Sequence, residues 1–332
     1  MRVAVTGATG HVGSNLVRSL VDRGDQVRAL VRERADALAG LEVEQVRGSL
    51  EDTDALRRLF IGVDVVYHLA AMISISGDPR GQVRATNVEG TRRAATAALA
   101  AGVRRLVHCS SVHAFDLHVP GSEALQQIDE SWPRVPDTAA HFAYDRSKAA
   151  GERALREVMA LGLEAVIVHP SGVVGPFDFG PSRMGRVLLG LYHRSLPSLI
   201  DGGFDFVDVR DVTGALMAAA DRGVAGANYI TTGHHLRISA LARLAEQITG
   251  VRSPRINAPI WALRLGVPAV EALGRVLGKE PLYTRESIAV LETRARFDWS
   301  RAGRDLGYAP RPTLDTLRDT YAWFEQAGLL KR

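Results

Sequence analysis

Tyr144 and Lys148 stand four residues apart in Tyr144-Asp145-Arg146-Ser147-Lys148, and on a helix that spacing puts a phenol and an ammonium on one face. The chain has lysine only at Lys148, Lys279 and Lys331, so its basic residues are otherwise arginine. A free phenol, with a pKa of about 10, exchanges protons poorly at neutral pH. A neighbouring cation favours the phenolate, so Lys148 could make Tyr144 a proton shuttle for a carbonyl or an alcohol. Upstream, Leu106-Val107-His108-Cys109-Ser110-Ser111 is a strand-like run ending in two serines. Ser111 could hold a substrate oxygen towards Tyr144, and Ser110 is disfavoured because side chains alternate along a strand. The competing reading is a solvated pair on an exposed helix; the serines weigh against it.

A second constellation opens the chain. Thr6-Gly7-Ala8-Thr9-Gly10-His11-Val12-Gly13 follows a strand-like run and leads into a helical pattern. Gly7 would permit the tight turn, Gly10 a close approach of backbone to a pyrophosphate, and Gly13 close packing of helix on strand. The helix N-terminus presents free N–H groups and partial positive charge to phosphates. A dinucleotide cofactor is expected here, contacting Thr6, Gly7, Thr9, Gly10, His11, Val12 and Gly13. The second strand ends at Val31-Arg32-Glu33-Arg34, with no acid at its tip for a ribose 2′-hydroxyl. Arg32 can pair with a 2′-phosphate, so NADP(H) is expected ahead of NAD(H); Glu33 serving the ribose is the alternative. Asp52 could face the adenine amine or simply cap the next helix.

The elements that must position these residues alternate. Strand-like runs cover residues 3–6, 27–31, 43–46, 64–69, 106–110 and 165–168, and helical patterns cover 12–23, 52–60, 81–101 and 143–161. Short connections between them imply parallel strands with right-handed crossovers. The expected fold is α/β, a doubly wound parallel sheet of Rossmann type over residues 1–170, with a smaller C-terminal substrate-binding lobe over 171–332. In that second half helical segments are expected at 183–194, 211–221, 238–249, 260–277 and 314–327, with strands at 204–209 and 227–230 that could return to the main sheet.

In order and spacing, Thr6–Gly13, Ser111, Tyr144 with Lys148, Asp64-Val65-Val66-Tyr67-His68-Leu69-Ala70-Ala71, Asn87-Val88-Glu89-Gly90-Thr91 and Phe206-Val207-Asp208-Val209-Arg210-Asp211-Val212 together resemble an extended short-chain dehydrogenase/reductase of the epimerase/dehydratase superfamily. Leu69–Ser74 and Pro170–Pro176 look closest to its dihydroflavonol-4-reductase-like and 3β-hydroxysteroid-dehydrogenase-like branch. The resemblance implies catalysis by Ser111, Tyr144 and Lys148. It also implies that Tyr144 and Lys148 border the cofactor, that Pro170, Ser171 and Val173 lie against the nicotinamide, and that Leu69, Ala70 and Ala71 pass the phosphate and ribose. Asn87 would brace the site. Relatives commonly form homodimers through the helices corresponding to 81–101 and 143–161.

Composition bounds the rest. Hydrophobic residues make up 46% and charged residues 23%, and 41 Lys+Arg against 37 Asp+Glu leaves a net charge of +4. These values exclude wholesale disorder, and the scattered basic residues give no expectation of nucleic-acid binding. The single cysteine, Cys109, forms no intrachain disulfide, and no secretory leader precedes the first strand, so a cytoplasmic protein is expected. The apolar stretch 258–277 is broken by Arg264, Pro268, Glu271 and Arg275, too polar for a membrane span. No metal site is expected, since the histidines are dispersed.

Substrate contacts are expected from Met72, Ile73, Ser74, His113, Phe177, Phe179, Met184 and Phe204, whose largely apolar character suits a ring-bearing or lipid-like carbonyl compound. His113 could also carry a proton or merely pack. A nucleotide-sugar epimerase or dehydratase is the enzymatic rival; it would need a cationic clamp such as Arg183, Arg186 or Arg194. A non-catalytic NADP(H)-sensing regulator is the other alternative, against which the retained Ser111, Tyr144 and Lys148 stand.

Overall fold

The computed structural model describes residues 1–33, 35–75, 77–117, 126–261, 264–265, 284–292 and 295–331. Most of the helical pattern expected at 260–277 therefore lies outside the described residues, as does Arg34. Seven strands make one sheet: β1 (Arg2–Thr6), β2 (Gln26–Val31), β3 (Val43–Arg47), β4 (Val65–His68), β5 (Arg105–Cys109), β7 (Ala165–Pro170) and β11 (Asn228–Thr231), in the order β3-β2-β1-β4-β5-β7-β11. Every pairing in it is parallel. The apolar runs of the sequence are continuous rather than alternating because both faces are covered; Val3, Ala4 and Val5 are fully buried. The chain winds outward from β1 to β3, returns to β4 and winds the other way. Strand order therefore reverses between β1 and β4, and such folds bind ligands beyond the carboxyl ends at that crevice.

One face carries α1 (His11–Asp22) and α7 (Val209–Arg222), which bury Leu16, Val17, Leu20, Val212 and Leu216. The other carries α2 (Thr53–Phe60), α4 (Gly90–Ala100) and α5 (Ala143–Met159), with Leu59, Phe60, Ala94, Ala98 and Leu155 in its core. The helix expected over 81–101 is not uniform: α3 (Gln82–Arg84) passes into a π-helical turn, Ala85–Glu89, before α4 begins. The turn sits against α5, where a Cβ on Gly151 would come within 2.4 Å of the Asn87 carbonyl oxygen. Only glycine allows that approach, and it brings Asn87 beside the helix that carries Tyr144.

Chain beyond residue 170 serves both parts of the molecule. The strand at 228–231 completes the main sheet, whereas β10 (Gly203–Asp208) lies in a separate three-stranded sheet between β8 (Gly172–Val174) and β12 (His234–Arg237). Two-stranded pairs join β9 (Leu199–Ile200) to β13 (Asn257–Ala258) and β6 (Gln126–Ile128) to β14 (Ala295–Phe297). With α6 (Arg183–Tyr192), α8 (Ile238–Thr249) and the helix Thr313–Gln326, these bury a third core around Leu188, Phe206, Leu241, Tyr321 and Phe324. The helices Arg285–Glu292 and Ser300–Leu306, and the short strands other than β10, escape the sequence patterns because each is too brief to show a period. Among the described residues no helix is long and apolar enough to cross a membrane.

Candidate active site

The turn between β1 and α1 is built by backbone packed on backbone. Gly7 has φ +72°, and a Cβ there would meet the Ala70 nitrogen at 2.6 Å. A Cβ on Gly13 would lie 2.0 Å from the Gly7 carbonyl oxygen. Around Gly10 the space is open, with only the Gly7 oxygen at 3.4 Å. No acid occupies the first turn of α1 and no side chain caps it, so its amide groups are left for an anion. The cradle fits a dinucleotide pyrophosphate. Thr9 and Gly10 are exposed at its rim, Val12 is half-buried, and Leu69, Ala70 and Ala71 follow β4 across the crevice. Arg32 is exposed just beyond β2. The Asp52 carboxylate accepts from the Ala55 amide at 2.9 Å, so it caps α2.

Ser111, Tyr144 and Lys148 converge at the carboxyl end of β5. Tyr144 and Lys148 occupy one buried face of α5, 8% and 4% exposed, and Ser111 acts on the Tyr144 hydroxyl. Burial pushes the phenol well above its ordinary pKa, with Ser111 working the other way. The main influences on the phenol do not include Lys148, so the acidification expected from it does not offset burial in the chain alone, and Tyr144 stands as a neutral acid. Desolvation also lowers Lys148, whose ammonium donates to the Cys109 carbonyl oxygen at 3.0 Å. Cys109 itself is buried, its thiol pushed up to about 11 by burial, which makes it inert as a nucleophile.

Beneath this edge lies a sealed polar layer. The Ala70 amide donates to Thr6 Oγ1 at 3.3 Å, and Thr6 Oγ1 lies 2.8 Å from His68 Nδ1. His68 Nε2 is 3.1 Å from Thr91 Oγ1, which donates to the Asn87 carbonyl at 2.8 Å. That direction assigns the His68 proton to Nε2 and leaves Nδ1 to accept from Thr6. His68 stacks on His108 with ring centroids 5.3 Å apart. Burial lowers His68 to about 3 and drives His108 well below its usual value, so both are neutral. Asn87 braces the site as the family pattern implies: its amide grips the Met72 backbone through both N–H and C=O at 2.7 and 2.9 Å and donates to Ser147 Oγ at 2.8 Å. Ser147 in turn donates to the Tyr144 carbonyl at 2.6 Å.

The remaining expected contacts divide. His113 lies edge-on to Tyr144, with centroids 5.4 Å apart and Phe204 at 6.1 Å; its Nδ1 is 2.9 Å from the Asp145 carboxylate. Ile73 is 59% exposed, Ser74 donates to the Gly77 carbonyl, and Met184 packs on the third core. Phe177 and Phe179 instead gather with Trp323 under the Arg18 guanidinium of α1, at 4.5 and 5.1 Å. The loop they belong to is tied to α1, where His11 Nε2 reaches the Gly175 and Pro176 carbonyls and Asn15 donates to Pro176 at 2.9 Å. Pro170 is buried at the end of β7, Val173 pairs with Val207, and Ser171 donates to Asp205 at 2.8 Å.

Sequence reasoning passed over a buried cluster behind Ser111. Ser110 donates to Glu152, Arg134 Nε donates to the other Glu152 oxygen at 2.9 Å, and His169 Nδ1 lies 3.3 Å from both Glu152 and the Ser111 carbonyl. His169, at the end of β7, thus joins that strand to β5 and α5. Glu152 falls four residues after Lys148, a spacing that could have flagged it on the same helical face.

Residues 3–232 match the family model of the NAD dependent epimerase/dehydratase family. The sterol demethylase protein B of Methylococcus capsulatus is 38% identical over 99% of this chain and 100% of its own length. A Synechocystis sp. protein provisionally named dihydroflavonol 4-reductase is 32% identical over 98% of this chain and 95% of its own. The crystal structure of gox2253 superposes with a TM-score of 0.84 at 36% identity, covering 99% of both chains.

Proposed function

This chain belongs to the NAD dependent epimerase/dehydratase family, within the extended short-chain dehydrogenase/reductases, and is an NAD(P)-dependent enzyme; from that premise we propose that it interconverts a carbonyl and a secondary alcohol on a small, largely apolar, ring-bearing molecule. The observation that carries this reading is the neutral, buried Tyr144 phenol, beside Ser111 and one helical turn from the Lys148 ammonium. When bound, the nicotinamide supplies or accepts the hydride. Ser111 and Tyr144 hold the substrate oxygen by hydrogen bonds, and Tyr144 Oη gives that oxygen its proton in reduction or takes it in oxidation. The Lys148 charge favours the transient phenolate, and its clamp on the Cys109 carbonyl keeps it aimed. Asn87 and Ser147 fix the backbone of Tyr144, so the phenol is positioned before substrate arrives.

His113 and Phe204 flank Tyr144 with a ring surface and one imidazole edge, which suits a flat or alicyclic skeleton. The relatives named for a sterol and a dihydroflavonol point to the same class. For the cofactor, Arg32 stands exposed past a strand tip that offers Val31 and no acid, which supports NADPH ahead of NADH.

The test is oxidation of NADPH and NADH against cyclic ketones, a steroid 3-ketone and a flavanonol, with C4 epimerisation of UDP-glucose, which consumes no free cofactor, followed separately in the presence of NAD+. Turnover of a ring-bearing ketone is expected, falling about 1,000-fold in Tyr144→Phe while NADPH still binds. In Arg32→Ala the preference for NADPH over NADH is expected to fall about tenfold. Turnover confined to UDP-glucose would replace this reading with the epimerase, and tight cofactor binding with no turnover would replace it with a sensor.

A further inference from the structure

The mechanism leaves Glu152 unused, although it is a carboxylate 1% exposed behind the reacting groups. It lies four residues after Lys148 on α5, on the face that carries Tyr144, so three functional groups follow one another at successive turns. Two consecutive residues of the β5 edge tie the charges down. The Cys109 carbonyl accepts from Lys148, and the Ser110 hydroxyl donates to Glu152. The other oxygen of Glu152 is taken by Arg134, itself fixed by the Trp132 carbonyl at 2.7 Å, Asn228 at 2.9 Å and the Phe115 ring at 4.1 Å. A carboxylate buried this deeply costs stability unless its charge is compensated, and its complete set of partners shows a built feature. Lys148 donates to a carbonyl and not to a carboxylate, so its own compensation must come across space.

We propose that Glu152 is the fixed counter-charge of Lys148 and so a positioning residue for the Tyr144–Lys148 pair, a role that rests on the reading of that pair given above. The surroundings leave few rivals. Lys148 faces Tyr144 and Glu152 on α5, Cys109 and His108 on β5, His68 on β4 and His169 on β7; Asp145 and Glu286 act on Tyr144. Burial lowers His169 to about 4, and with His68 and His108 also neutral, the imidazoles add no charge near pH 7. Burial pulls the Lys148 ammonium down, and Cys109 and Glu152 oppose that pull. Burial opposes the charge of Glu152, but the carboxyl is lowered on balance, and with His169 neutral near pH 7 it is Arg134 and Ser110 that hold it ionised there. Arg134, on the far side of the carboxylate, partly neutralises it and so tempers the effect on Lys148.

The chain's three lysines make this directly measurable. In protein labelled with [ε-13C]lysine, the Lys148 resonance is assigned by its absence from Lys148→Met and titrated by NMR without cofactor. In Glu152→Gln its midpoint is expected to move to lower pH, with proton affinity weakened about tenfold. In Arg134→Met, where the carboxylate is left unneutralised, the midpoint is expected to move to higher pH. Should either single variant fail to fold, Glu152→Gln with Arg134→Met removes both members of that ion pair together, so neither is left unpaired, and retains a downward shift of Lys148. A midpoint within twofold of wild type in Glu152→Gln, or in the double variant where that one does not fold, overturns the proposal, as does an upward shift. The titration needs no turnover, so failure of the hydride-transfer reading would appear separately, as a Tyr144→Phe enzyme that still reduces ketones.

Discussion

The turn after β1 and the loop after β8 both connect to α1, and they are held by different means. In the turn, missing Cβ atoms let backbone touch backbone, with virtual contacts of 2.0 Å at Gly13 and 2.6 Å at Gly7. In the loop, side chains of α1 do the holding: His11 and Asn15 reach its carbonyls, Ser14 donates to the Phe177 carbonyl at 3.1 Å, and Arg18 covers two aromatic rings. Phe177 even takes a left-handed φ of +57°. Backbone contacts admit no repacking, whereas side-chain contacts can be exchanged one at a time. A common cofactor and varied substrates need that division: a rigid turn for the shared group and an adjustable border for the changing one.

The difference extends to the layers beneath. The cofactor half buries His68, His108 and His169 as neutral bases, and the third core is apolar and aromatic. Folding lowers His68 from 6.5 to about 3 and His169 from 6.5 to about 4. Below pH 6.5 the unfolded chain therefore takes up protons that the folded chain refuses. Their contribution is complete above pH 6.5 and is lost as pH falls towards 4, on the order of 3 kcal/mol for each. Hydrogen exchange across that range is expected to lose protection first in β4, β5 and β7; earlier loss in the helix Thr313–Gln326 would break the comparison.

A smaller effect is expected from Gly13→Ala. The new methyl has no room against the Gly7 carbonyl, so the turn must shift, at about 3 kcal/mol or a 100-fold loss of NADPH affinity by calorimetry. Smallest is Asn15→Ala, which removes one of the two side-chain contacts to the Pro176 carbonyl: a change of about fivefold in KM for substrate, with NADPH affinity unmoved. Equal losses for substrate and cofactor would mean that the loop and the turn move as one body.

Much of this was legible in the sequence because its signals are local. Gly7, Gly10 and Gly13 sit at fixed offsets in one turn, and Tyr144 and Lys148 share one helix face. The apolar runs of the main strands identify buried parallel strands. What was not legible depends on residues brought together from afar. Arg134, Glu152 and His169 come from three separate segments, and no spacing relates the first and last. The π turn at Asn87 leaves no mark in the hydrophobic period, since it changes how α3 and α4 meet α5 and not which side chains are apolar. Phe177 and Phe179 looked like substrate contacts because aromatic residues near a cleft suit a ring; their partner Arg18 lies more than a hundred residues earlier in the chain.

The central claim is that Tyr144 and Ser111 together hold the oxygen that gains or loses the proton. A crystal structure with NADP+ and a bound alcohol product tests it most directly. That oxygen is expected at about 3 Å from both Tyr144 Oη and Ser111 Oγ. An alcohol seated by His113 and Phe204 with its oxygen beyond hydrogen-bond reach of Tyr144 would contradict it.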